Sequence, residues 1–157
     1  GRTLAPILKK RNANLVGIEP SQAMIDIYDA PGDVICSKAE DFIPENFDLA
    51  ILFLTLMFVE PCKRLRLMKL LRNKCKLGGA IVVFDKLEPI SGYPATIFYR
   101  LTLAGKKAAG TDANEIIEKE LSLSGVQRPI NEYQLGGDSH LWFKYGDFAG
   151  WLIEKEC

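Results

Sequence analysis

The sequence predicts an α/β fold: a mostly parallel sheet that ends in an antiparallel hairpin. Three observations predict it. Short, uninterrupted apolar runs at residues 14–19 (NLVGIE), 33–36 (DVIC), 48–53 (DLAILF) and 80–87 (AIVVFDKL) read as buried strands. Segments with apolar residues at helical spacing lie between them, the pattern of strand and helix alternation. Near the end, aromatic-rich runs at 141–145 and 148–154 are joined by Gly146 and Asp147 alone, a hairpin signal.

Each element has a local reason. Residues 4–11 read as a first helix, with Pro6 in the opening turn, where its missing N–H costs least. Residues 20–28 (PSQAMIDIY) open with Pro and Ser and carry Ala23, Met24 and Ile27 at helical spacing, predicting a short helix between the first two strands. Residues 62–76 alternate apolar and basic side chains at three-and-four spacing, predicting a helix that Gly78 and Gly79 stop. Residues 93–109 and 113–123 predict two further helices, the second capped by Asp112.

Composition narrows the function classes. The chain has 157 residues, 48% hydrophobic and 25% charged, which predicts one domain over residues 1–157 with a core of its own. Twenty Lys and Arg balance twenty Asp and Glu, so no global field draws it to nucleic acid or membrane. The longest apolar stretch, 49–59, is too short to span a bilayer, and the first residues do not read as a signal peptide. Cys36, Cys62, Cys75 and Cys157 form no C-x-x-C and no zinc spacing. The expectation is a cytoplasmic protein with reduced thiols, no metal and no membrane partner.

In open α/β sheets ligands bind outside the carboxyl ends of the strands, and three such ends stand out. Glu19 ends the first strand; an acid there accepts from two ribose hydroxyls, or else simply faces solvent near a helix N-terminus. Residues 37–41 (SKAED) follow the second strand and either meet an adenine edge or cap a helix. Residues 53–61 (FLTLMFVEP) run from the third strand into an apolar loop, which reads as a shelf for a purine or a sulfonium methyl, or as plain packing.

This order of pieces, with E-P-S-Q-A-M-I from Glu19 and S-K-A-E-D-F from Ser37, resembles a class I S-adenosylmethionine-dependent methyltransferase. L-T-L-M-F-V-E-P at 54–61, L-G-G-A-I-V-V at 77–83 with Lys86 after it, and L-W-F-K-Y-G-D-F-A-G at 141–150 are most similar to the carboxy-S-adenosylmethionine synthase branch, enzymes of tRNA wobble-uridine modification. The resemblance implies a Rossmann-like, seven-stranded sheet with its last strand antiparallel. It implies S-adenosyl-L-methionine as cofactor, with Glu19 on the ribose, Lys38 and Ala39 beside the adenine, and Phe53 and Leu54 lining the cleft. Gly1, at the tail of the family's glycine-rich turn, and Pro20, Met24 and Glu40 are the further cofactor candidates it implies. Tyr93, Tyr99, Arg100 and Tyr133 fall in the region that covers the cleft and are the candidate acceptor contacts; packing of a lid is their alternative.

The sequence also departs from the pattern. The family's first strand and most of its glycine-rich turn have no counterpart, so the sequence is expected to be a piece of a longer protein. Lys38 replaces an acid and Phe53 an asparagine, and Glu120 falls where the branch has the arginine that holds the extra carboxylate. The expected function is therefore methyl transfer from ordinary S-adenosylmethionine to a small molecule or RNA, with a homodimer as one assembly. The alternatives are a noncatalytic binding or assembly module and a true carboxy-cofactor synthase. The basic residues of the 62–76 helix read as a solvated face or an RNA-steering stripe, the first being favoured by the zero net charge. Trp142 and Trp151 are expected in the core, and His140 in a structural or exposed role.

Overall fold

A computed structural model describes residues 3–89 and 91–156. The chain divides into two units, residues up to Pro44 and from Glu45 onward. In the first, helix α1 (Leu4–Lys9) gives way to a turn at Asn12, whose left-handed φ of 60° is one that Asn tolerates well. Strand β1 (Val16–Glu19) and strand β2 (Asp33–Cys36) pair in parallel, Val16 with Asp33 through to Glu19 with Cys36. Parallel neighbours need a crossover, and helix α2 (Gln22–Asp26) supplies it, with the Ser21 hydroxyl accepting from the Met24 amide at 3.4 Å. Gly32 returns the chain at φ +106°, where a Cβ would stand 2.9 Å from Leu15.

The second unit holds strand β3 (Phe47–Phe53), helix α3 (Pro61–Lys74), strand β4 (Cys75–Lys86), helices α4 (Gly92–Ala108) and α5 (Ala113–Ser122), and strands β5 (His140–Tyr145) and β6 (Phe148–Glu154). Short 3-10 turns at Leu56–Phe58 and Glu132–Leu135 complete it. The sheet order is β3-β4-β6-β5, with β6 antiparallel to both of its neighbours. Alternation along β4 buries Gly79, Ile81, Val83 and Asp85, and β6 answers with Ile153, Trp151 and Ala149 opposite the last three. Leu67 and Met68 of α3 belong to the same core.

The predicted helices and strands are present with small changes of boundary, and Asp112 caps α5 by accepting from Asn114 and Glu115. Three readings are corrected. Helix α3 ends at Lys74, and Gly78 and Gly79 lie inside β4 rather than stopping the helix, because Cys75 already adopts an extended backbone. Residues 37–41 form a turn on the Lys38 carbonyl with no helix to cap. Trp151 is fully buried, whereas Trp142 is 54% exposed, lying over Gly150 beside a register shift in β5. The described strands number two in one sheet and four in the other.

Candidate functional site

In the first unit, the carboxyl ends of β1 and β2 lie side by side, and the Ser37 amide donates to the Glu19 carbonyl at 3.2 Å. Glu19 is half-buried, and its Oε1 accepts from the Ser21 amide at 3.0 Å. That bond orients the carboxylate and ties it to the start of α2, where the helix dipole favours negative charge. Ala39 and Glu40 are half-buried in the adjoining turn, while Pro20, Lys38 and Met24 are exposed. The structure thus brings six of the cofactor candidates to one end of one strand pair. Gly1 lies outside the described residues.

In the second unit, Phe53 ends β3 and is 57% exposed. Its ring stacks on Phe84 of β4, centroids 4.9 Å apart and planes within 7°. Phe84 in turn faces Phe148 at 6.0 Å and Phe143 at 5.4 Å, so an aromatic tract runs across the strands. Leu54 follows in a left-handed conformation, φ 52°, its amide donating to the Phe84 carbonyl at 2.7 Å. Phe53 and Leu54 therefore present a bent apolar corner in place of a polar strand end. Beyond it, Phe58, Val59, Pro61, Cys62, Val126 and Arg128 line an open groove.

Tyr93, Tyr99 and Arg100 lie on α4, all exposed. Tyr93 and Arg100, two turns apart, share a helix face, while Tyr99 points elsewhere. Tyr133 sits in the second 3-10 turn, also exposed, and among the described residues no hydrogen bond or ring contact joins it to the α4 residues. Glu120 of α5 pairs with Lys106 of α4 at 2.7 Å. His140 is exposed at the start of β5.

Two buried charged residues escaped the sequence reading. Arg64 of α3 donates to the carbonyls of Val59, Pro129 and Arg128 and to Gln134 Oε1, all within 3.0 Å. Burial pushes its pKa down, with the field of Asp85 opposing. Asp85 of β4 is fully buried and accepts from the amides of Thr55, Leu56 and Met57. Burial pushes its pKa up, and the backbone hydrogen bonds offset part of that rise. The signal was present in both cases. Arg64 occupies the apolar stripe with Leu67 and Met68, and Asp85 falls on the inward phase of β4 with Ile81 and Val83.

Residues 1–83 match the family described as "Methyltransferase domain". The chain is 28% identical to the carboxy-S-adenosyl-L-methionine synthase of Shewanella woodyi over 162 residues, covering 92% of this chain and 67% of that protein. The corresponding protein of Aeromonas hydrophila is 28% identical, with 96% of this chain and 60% of that protein covered. Among solved structures, an S-adenosylmethionine-dependent methyltransferase from Archaeoglobus fulgidus superposes with a TM-score of 0.60 at 17% identity, covering 90% of this chain and 59% of that one. Human N-acetylserotonin methyltransferase, solved with S-adenosylmethionine, gives a TM-score of 0.59 at 12% identity, with 94% and 42% covered. The chain thus spans about two thirds of the Shewanella relative and less of these structures. With the strand-end geometry above, these likenesses establish that the chain belongs to the methyltransferase-domain family, with the class I S-adenosylmethionine-dependent fold and kinship to the carboxy-S-adenosylmethionine synthase branch.

Proposed function

We propose that this chain is the cofactor-binding domain of an S-adenosylmethionine-dependent methyltransferase acting on a small molecule or RNA. The observation that carries the reading is Glu19, a half-buried carboxylate oriented by the Ser21 amide at the carboxyl end of β1. One carboxylate spans two vicinal hydroxyls, so Glu19 accepts from the ribose while the turn bearing Lys38 and Ala39 flanks the adenine. Phe53 and Leu54 contribute an apolar surface to cofactor binding, and Tyr93, Tyr99, Arg100 and Tyr133 are the residues proposed to meet the acceptor. In the transfer, an acceptor lone pair attacks the sulfonium methyl, the C–S bond breaks and sulfur keeps the electron pair. A nucleophilic acceptor needs alignment and exclusion of water more than acid or base help. The exposed thiols Cys36 and Cys62 favour a reducing, cytoplasmic setting.

Calorimetric titration of the longest natural form of the protein with S-adenosylmethionine and S-adenosylhomocysteine tests this. Micromolar binding, weakened at least tenfold by Glu19→Ala, is the expected result; absence of binding by the unaltered protein retires the enzyme reading in favour of a noncatalytic module. The names of the relatives favour a second reading, carboxy-cofactor synthesis. Against it stands Glu120, an acid paired with Lys106 at the position where the sequence resemblance implies a carboxylate-binding arginine. Mass spectrometry of the cofactor after incubation with prephenate decides between them.

A further inference from the structure

A carboxylate is a costly occupant for the inward phase of a core strand, since an isolated buried charge must be compensated by several hydrogen bonds or neutralised. Asp85 is 0% exposed, and among the described residues no ion pair reaches it. Its compensation is backbone. Oδ2 accepts from the successive amides of Thr55, Leu56 and Met57 at 3.0, 2.7 and 3.3 Å, and Oδ1 accepts from the Lys86 amide at 2.9 Å. Three consecutive amides converging on one point is an arrangement that suits an anion.

What this carboxylate holds is the turn leaving β3. Leu54 sits at φ 52° without being glycine, a backbone conformation that is strained for an L side chain and persists only where surroundings impose it. The Phe84 carbonyl holds the Leu54 amide from one side, and Asp85, the next residue of β4, holds the three amides that follow. The same pair of β4 residues thus fixes both the ring of Phe53, by stacking, and the corner at Leu54. A hydrophobic residue at position 85 would fill the core and leave those amides unsatisfied.

We propose that Asp85 is a positioning residue for cofactor binding: it touches no ligand, and it sets the corner formed by Phe53 and Leu54 in the geometry that receives the cofactor. The proposal rests on the methyltransferase reading above. Its substitution Asp85→Asn keeps the shape but replaces one acceptor oxygen by an amino group that faces the Lys86 amide, and weakens the other as an acceptor.

The test is titration of the full natural protein with S-adenosylhomocysteine, alongside amide hydrogen exchange. In Asp85→Asn the amides of Thr55, Leu56 and Met57 exchange faster and the dissociation constant rises about tenfold. Ile81→Val, which trims the core four residues away on the same face of β4, lowers the melting temperature and leaves the affinity unchanged. Faster exchange at the turn with unchanged affinity would overturn the positioning role and leave the methyltransferase reading standing; no binding by the unaltered protein would overturn both. If Asp85→Asn fails to fold, the unaltered protein decides. Bound S-adenosylhomocysteine slows exchange at Leu56 and Met57 several-fold if this corner carries the cofactor, and unchanged exchange there would overturn the proposal.

Discussion

The Arg64 guanidinium donates from Nη1 to Gln134 Oε1 at 2.9 Å, which joins helix α3 to a 3-10 turn seventy residues later. Gln134 Oε1 also accepts the Asn131 amide, and the other guanidinium nitrogens take the carbonyls of Val59 and Arg128. The segment so held contains Ile130, fully buried, whose amide donates to the Lys86 carbonyl at 2.7 Å. An arginine is suited to this because its planar fork presents donors in several fixed directions.

Arg64→Ala is therefore expected to cost about 3 kcal/mol or more, since several buried acceptors lose their donor at about 1–3 kcal/mol each before relaxation. Arg64→Lys rescues little, because an ammonium cannot serve acceptors spread around a plane. Urea unfolding of the three proteins checks both statements.

The same geometry bears on the basic face of α3. Arg64 and Arg72 turn toward the protein, Arg72 donating to the carbonyls of Leu135 and Asp138. Lys63 pairs with Glu60 and Lys76 with Asp48. Replacing Arg66, Lys69 and Lys74 together by Glu is expected to leave RNA affinity unchanged within twofold in a filter-binding assay, and stability within about 0.5 kcal/mol per site. A loss of RNA binding would make this face a steering surface after all.

Gly79 and its neighbour Gly78 predict different penalties. A Cβ on Gly79 would stand 2.7 Å from the Asp48 carbonyl oxygen and 2.9 Å from Cys75 Sγ, inside packed structure. On Gly78 it would meet nothing within 4 Å, and only the φ of +75° opposes it. Gly79→Ala is expected to cost about 1–3 kcal/mol through overpacking, and Gly78→Ala about 1 kcal/mol through backbone strain. Thermal melts of the two variants, with the first melting lower, check the order.

Asp85 gives a pH dependence of unusual sign. Burial raises its pKa above the ordinary carboxylate value of 3.8, with Arg64 the charged side chain of α3 that shares its field. Between the unfolded value and the raised native one, the folded state binds more protons than the unfolded state. This group's contribution is therefore complete below the unfolded value and declines as pH rises through the native one. Unfolding free energies of the unaltered protein and Asp85→Asn, compared from pH 3.5 to 7, are expected to shift in favour of the unaltered protein as pH falls. A gap that stays constant over that range would mean that Asp85 titrates as an exposed acid does.

Much of the fold was legible in the sequence because its signals are local. Strand β2 stands between turn formers, Ser21 and Asp112 accept from amides at the starts of their helices, and the two residues between β5 and β6 leave room for nothing but a hairpin. The alternation of β4 is likewise written in order, from Ile81 to Val83 to Asp85. The place of Glu19 at the end of β1 was legible as well, because an acid at a strand end stands out against the apolar run before it.

What only the tertiary structure decided concerns partners far apart in the chain. Nothing near Gly78 and Gly79 says that Cys75 already belongs to β4, since that follows from pairing with Phe47. Periodicity put Arg64 and Arg72 among seven cations of one helix, and only the return of residues 128–138 gave them acceptors and removed them from the solvent-facing set. The insertion of β6 between β4 and β5 decided which tryptophan is core: Trp151 opposes Val83 inside the sheet, while Trp142 lies on β5, beyond which no strand pairs among the described residues. Asp85 is the clearest instance. A propensity rule sees a charge in a strand, and only the three amides delivered by a loop thirty residues earlier give that buried carboxylate its hydrogen-bond partners.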